Sequence, residues 1–276
     1  MYNSRVRITV MGENMNLAVK IAFFDVDGTL LPIGEKEPSN KTVYALKELQ
    51  KNGVILCMAT GRGVLMMPKL RDICFDAYIT FNGSYCFTDS EVISKTPIPP
   101  ADVLQIWKNT QQMKRAMAIS NEKYTVANGT DADLETYFSF GGSSLVIDEN
   151  FADKCKEDIY QIMMSCRSSE YETILKGTQG TAVTAWWDKA ADFIPLESGK
   201  GQAVKRVLDY YGFSPQEAIA FGDGSNDIAM FNAVETAVAM GNASDTVKEV
   251  ADDICQSVDE DGIYFYCVDN NIIQRM

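Results

Sequence analysis

Histidine occurs nowhere in the 276 residues. Without an imidazole there can be no Ser-His-Asp or Cys-His hydrolase, no His-Glu-x-x-His metalloprotease and no phosphohistidine transfer. Long apolar runs are also missing. The most apolar stretch, Val54–Ala59, falls far short of the ~20 residues that cross a bilayer. The first twenty residues carry Arg5, Arg7, Glu13 and Lys20 and have no apolar segment of the secretory-signal kind. No Lys/Arg cluster interrupts a net charge of −13, so neither nucleic acid nor an anionic membrane is an expected partner. The seven cysteines form no Cys-x-x-Cys pair, which argues for buried, reduced thiols over zinc sites or a disulfide framework. Neither Gly-x-x-x-x-Gly-Lys-[Ser/Thr] nor Gly-x-Gly-x-x-Gly is present, so ATP and dinucleotides have no motif. The expectation is a soluble cytoplasmic protein whose chemistry runs on carboxylates, lysine, hydroxyls, backbone amides or a metal.

The length corresponds to about two domains, and 46% hydrophobic content suffices for ordinary cores. The chain is organised around Ile21-Ala-Phe-Phe-Asp25-Val-Asp27-Gly-Thr29-Leu30. Four apolar residues read as a short strand buried at the centre of a parallel sheet. The strand stops at two aspartates two positions apart, followed by a glycine. Chemistry in open α/β sheets sits at the carboxyl ends of strands. Taken alone, however, such a stretch is better read as a strand followed by a solvated Asp-Gly turn.

The following segments repeat the pattern. Asn40 is placed to cap a helix with Val43, Leu46 and Leu49 on one face, ended by Asn52-Gly53. A second buried strand, Val54–Ala59, ends in Thr60-Gly61-Arg62-Gly63. A helix from Val64 to about Cys74 leads to a third strand, Ala77–Phe81, ending in Asn82-Gly83-Ser84. This rhythm predicts a doubly wound, Rossmann-like parallel sheet. Between about 85 and 190 the rhythm changes. Short β-like stretches (Tyr85–Phe87, Glu91–Lys95, Lys123–Val126, Ser144–Ile147, Ala182–Trp187) mix with amphipathic helices (Ala101–Met113, Phe151–Ser165). The expected division is a first core segment at 18–88, an inserted α/β domain at 89–190 and a second core segment at 191–276. Met15 offers a second start, which makes 1–17 an extension. From Glu197 the first pattern resumes: Lys200-Gly201 opens a helix, Ser214-Pro-Gln-Glu217 has capping-box spacing, and the strand Ala218–Phe221 ends in Gly222-Asp223-Gly-Ser-Asn226-Asp227. A helix at Ile228–Ala233, a strand at Ala237–Met240 and a Ser244-capped helix follow.

Four strand or helix ends thus carry chemical groups: Asp25/Asp27, Thr60-Gly61, Lys200, and Asp223/Asn226/Asp227. In that order they resemble the four signature motifs of the haloacid dehalogenase (HAD) superfamily. Asn82-Gly83, Lys200-Gly201 and the long insert resemble its Cof-type phosphatases, which carry an α/β cap domain. The resemblance covers about 20–90 and 190–270, and it implies Mg²⁺-dependent hydrolysis of small phosphate monoesters, most often sugar phosphates.

The residue types support that chemistry on their own terms. Asp25 directly ends the central strand and is the candidate nucleophile, forming an aspartyl-phosphate. Asp27 is the candidate acid and base, since crowding by other acids raises a carboxyl pKa. Four acids in one pocket call for a cation, and Mg²⁺ prefers oxygen ligands. The resemblance assigns the metal to the Asp25 carboxylate, the Asp27 carbonyl and Asp223, with Asp227 as an outer orienting group. Phosphate contacts fall to the Val26 amide, Thr60, Gly61, Lys200 and Asn226. Two other readings share the motifs: a phosphosugar mutase or phosphotransferase, and a non-catalytic sensor of phosphorylated ligands. The expected partner is a small phosphorylated metabolite, the cofactor Mg²⁺ and the default state a monomer. Trp186 and Trp187 are expected to pack the insert, and Asp259-Glu-Asp-Gly262 reads as a turn.

Overall fold

The computed structural model describes residues 19–70 and 73–276. The expected extension at 1–17 lies outside the described residues. Described residues form two sheets. The first segment contributes β1 (Ile21–Phe24), α1 (Asn40–Lys51), β2 (Ile55–Ala59), β3 (Ala77–Thr80), β4 (Tyr85–Phe87) and β5 (Val92–Lys95). The insert holds α2 (Pro100–Met113), β6 (Ala118–Ser120), β7 (Thr125–Ala127), α3 (Ala132–Phe140), α4 (Phe151–Lys154), β8 (Gln161–Ser165), α5 (Tyr171–Ile174), β9 (Thr181–Trp187) and β10 (Ala190–Pro195). The chain returns with α6 (Lys200–Tyr211), β11 (Ala218–Gly222), α7 (Ile228–Phe231), β12 (Thr236–Ala239), α8 (Asp245–Lys248), β13 (Asp253–Ile254) and α9 (Gly262–Asp269).

The larger sheet has the order β13-β12-β11-β1-β2-β3-β4-β5. It is parallel through β3 and antiparallel at β4 and β5. Both faces of β1 are covered, as the unbroken apolar run requires. Ala22 and Phe24 pack with α1 and α9 on one side, and Ile21 and Phe23 with α6 and α7 on the other. Phe24 stacks on Phe221 of the neighbouring strand at 5.3 Å. Burying each of Phe23 and Phe24 stabilises the centre by roughly 2–3 kcal/mol.

The insert forms its own antiparallel sheet, β7-β6-β8-β10-β9, with α2 and α5 covering one face. Sheet membership moves the expected junctions. Position 88/89 falls within the hairpin that completes the larger sheet, and 190/191 falls inside β10. The chain passes between sheets at 96–117 and at 196–199.

Several expected elements change. Among the described residues of the helix expected at 64–74, only one turn is helical, Val64–Met66. Met67 is extended (ψ 137) because the proline ring of residue 68 disfavours helical geometry in its predecessor. The helix at 151–165 splits into the short α4 and the strand β8. Ile159–Cys166 is buried without a break, and such a run cannot be told from a buried helix by periodicity. Ser144–Ile147 forms only an isolated bridge, Ala127 to Ile147. The cap of α1 is Ser39, not Asn40; its hydroxyl accepts from the Thr42 amide at 3.0 Å. Six cysteines are buried and reduced, and Cys74 is exposed.

Candidate active site

Strand order places the carboxyl ends of β11, β1 and β2 side by side, so Asp223, Asp25 and Thr60 emerge together. The Asp25 amide continues the ladder to the Phe221 carbonyl at 3.0 Å. Lys200 reaches the same point from the first turn of α6. Its ammonium donates to Asp25 Oδ1 at 2.5 Å and to Asp227 Oδ1 at 2.6 Å, with its side chain fully buried. A helix dipole opposes a cation at that end, so the two carboxylates hold Lys200 there. Burial alone would lower its pKa, but the charges of Asp227 and Asp25 outweigh burial and keep the ammonium protonated.

Asp227 is orienting in its contacts. Its Oδ2 accepts from the Asp223 amide at 3.1 Å and the Gly224 amide at 2.9 Å, while Oδ1 meets Lys200. Asp223 accepts from Thr29 Oγ1 at 3.1 Å and from Asn242 Nδ2 at 3.2 Å. Gly28 makes that approach possible. It sits at φ +87°, and a Cβ there would collide with the Asp223 carboxylate. The turn is closed by the Val26 carbonyl, which accepts from the amides of Leu30 and Leu31 at 3.0 and 2.8 Å.

Asp27 stands apart from the buried cluster, its side chain 47% exposed. Arg62 grips it with both arms, Nε to Oδ2 at 2.9 Å and Nη2 to Oδ1 at 2.6 Å, and gives a third donor to the Met66 carbonyl. Buried Thr60 accepts from the Arg62 amide at 3.1 Å. Asn226 donates to Asn82 Oδ1 at 3.2 Å, and Gly61 lies against the same Asn82 side chain. The reading from sequence assigned no role to Arg62 or Asn242, and gave Thr29 only a place in the turn after Asp27. An arginine immediately after a strand-end Thr-Gly, in an acidic chain, was the available signal for the first.

The acids do not balance within the protein. Asp25, Asp223 and Asp227 each place a carboxylate oxygen within 4.8 Å of the others, and one ammonium faces all three. Burial pushes the Asp25 carboxyl well above the usual range, with Asp227 and Asp223 adding to the rise and Lys200 opposing it. Burial, then the Asp227 charge, raises Asp223 to about 6. An all-oxygen set with surplus negative charge suits a hard divalent cation. Asp227 accepts three hydrogen bonds, Asp223 two and Asp25 one, so Asp25 and Asp223 are the freer donors.

Residues 22–266 match the family model of the haloacid dehalogenase-like hydrolases. YkrA of Bacillus subtilis (strain 168), which carries a provisional phosphatase name, is 31% identical over 250 residues, spanning 89% of this chain and 95% of its own. The solved structure of BT1666 from Bacteroides thetaiotaomicron, described among the phosphatases of this superfamily, superposes with a TM-score of 0.86 at 26% identity, covering 96% of this chain and all of that one. The subclass IIB sugar phosphatase BT4131 superposes with a TM-score of 0.82, also at 26% identity, over 92% of this chain and all of that one.

Proposed function

We propose, for a chain that belongs to the haloacid dehalogenase-like hydrolases and is a phosphatase of phosphoric monoesters, that it hydrolyses small sugar phosphates through an aspartyl-phosphate on Asp25 with Mg²⁺ bound. The observation that carries this reading is the buried Lys200, held between Asp25 and Asp227 beside Asp223 at the ends of adjacent strands. Asp25 attacks phosphorus as the bond to the ester oxygen breaks, and Asp27 gives its proton to the departing alcohol. Asp27 then takes a proton from water, which attacks the aspartyl-phosphate and frees both Asp25 and inorganic phosphate. Arg62 holds the Asp27 carboxylate in place for these steps, and each oxygen it grips keeps a further lone pair for the proton.

Lys200 steadies the Asp25 carboxylate and faces the anionic substrate. The Val26 and Gly61 amides, Thr60 and Asn226 orient the phosphoryl oxygens. The Asp25 and Asp223 carboxylates with the Asp27 carbonyl would hold Mg²⁺, kept in place by Asp227, and the ion supplies charge for the phosphoryl group in transfer. The reading extends to a cytoplasmic monomer acting on a small phosphorylated metabolite; the net charge of −13 argues against nucleic-acid and anionic-membrane partners.

The test is phosphate release from an aryl phosphate and a panel of sugar phosphates. Release should require Mg²⁺, stop with chelator and fall at least ~10³-fold in Asp25→Asn. Retained turnover in that variant refutes the covalent route. Release that depends on a second, bisphosphorylated sugar would instead identify a mutase.

A further inference from the structure

One strand end marked in the sequence, Asn82-Gly83, is left without a task by the mechanism above. Its geometry is unusual. Asn82 is buried and lies in the left-handed region at φ +54°, a conformation that asparagine adopts more readily than other non-glycine residues. Its side chain touches Gly61 and accepts from Asn226, so it supports two of the groups assigned to phosphate. Its amide nitrogen also lies beside Gly61 and reaches the insert, where it donates to Asp192 Oδ2 at 3.5 Å.

Asp192 is a costly residue for this position. It sits on β10, opposite Met163 of β8, and is 3% exposed. Its partners are Tyr137, whose hydroxyl donates to Oδ1 at 2.6 Å, Gln161 and Asn82, all neutral. A buried carboxylate without a cation is unfavourable, and burial raises this one to about 6. Stability does not explain it, because an asparagine could keep the Tyr137 bond at lower cost. What a carboxylate can do here, and an amide nitrogen cannot, is accept from Asn82 with one oxygen while Tyr137 holds the other.

We propose that Asp192 is a positioning residue: held by Tyr137 in the insert, it sets the Asn82 side chain, and through Asn82 the Asn226 amide and the Thr60-Gly61 turn. The phosphate groups on the larger sheet are thus completed by a hydrogen bond from the smaller one. The inference rests on the reading of those groups as the phosphate site.

The experiment uses inorganic phosphate as competitive inhibitor of aryl phosphate hydrolysis in the full-length protein with Mg²⁺. Three variants are compared with wild type: Asp192→Asn, Asn82→Gly, which suits the left-handed backbone, and the double variant. Asp192→Asn should weaken phosphate roughly fivefold, the effect of losing one hydrogen bond, and Asn82→Gly, which also loses the bond from Asn226, by at least as much. The double variant should be no worse than the worse single one, because both remove the same link. Tyr137→Phe, which loosens Asp192 without removing it, should give a smaller change in the same direction and stands in should Asp192→Asn fail to fold. Unchanged phosphate inhibition in the single variants, or effects that multiply in the double, overturn the proposal. A wild type that neither hydrolyses phosphate esters nor binds phosphate overturns the reading of the site, and this inference with it.

Discussion

Lys200→Met removes the one buried cation of the site while keeping side-chain length. It leaves Asp25 and Asp227, with side chains 10% and 0% exposed, facing each other and Asp223 without compensation. Removing one partner of a buried pair costs about 3–5 kcal/mol. The size follows from the alternative open to the protein, which is to protonate an orphaned carboxyl. Against the ordinary value of 3.8 for Asp25, protonation costs at most about 4 kcal/mol at pH 7 and about 2 at pH 5, at about 1.4 kcal/mol per unit, less the part the wild type already bears because burial raises the same carboxyl. Asp25 is the group that takes the proton, because Asp227 Oδ2 already accepts from two backbone amides. The sign is that of an acid whose folded pKa lies above its unfolded one. The folded state binds the extra proton, so stability is lost as pH rises above about 4. Urea unfolding in chelator-containing buffer should therefore show a deficit of about 3–5 kcal/mol at pH 7 that shrinks to about 1–2 at pH 5. A deficit equal at both pH values, or below about 1 kcal/mol at pH 7, would refute the reasoning.

Gly28→Ala should abolish most turnover and lower stability by about 1–3 kcal/mol in urea unfolding, because the residue is left-handed and its new methyl meets the Asp223 carboxylate. Arg62→Gln should cut kcat/KM by roughly tenfold while moving stability by less than about 1 kcal/mol, since Asp27 is half exposed and its ion pair is screened. A large loss of stability with normal kcat/KM would contradict that role. Asp192→Asn should stabilise the protein by up to about 3 kcal/mol at pH 7 and by almost nothing near pH 3, as the raised carboxyl at about 6 costs stability only where it ionises. Denaturation at the two pH values decides it.

The parts legible in advance share one property: their signals are local. The run Ile21–Phe24 has no polar break, so it had to be covered on both faces, and it is. Acids and glycines directly after such runs mark strand ends wherever the strands lie. Capping chemistry was equally legible at Ser214–Glu217, where both box contacts form. Local reading failed where two local signals competed. In 64–74 the apolar residues outweighed Pro68, although its ring disfavours helical geometry at Met67. In 151–165 a helical spacing was compatible with a strand buried on both faces, and pairing with β6 and β10 chose the strand.

Residue identity alone dictated the surplus of carboxylates, the exclusion of imidazole chemistry and the positions at which acids end strands. Which charges meet depends on the path of the chain. Lys200 lies 175 residues from Asp25, Arg62 lies 35 from Asp27, and Asn82 lies 110 from Asp192. Hydrogen bonds act over about 3 Å, and sequence spacing carries no information at that scale once the chain has crossed between two sheets. The folded structure therefore determined that the two opening aspartates part company: Asp25 is buried on a lysine, and Asp27 is held at the surface by an arginine.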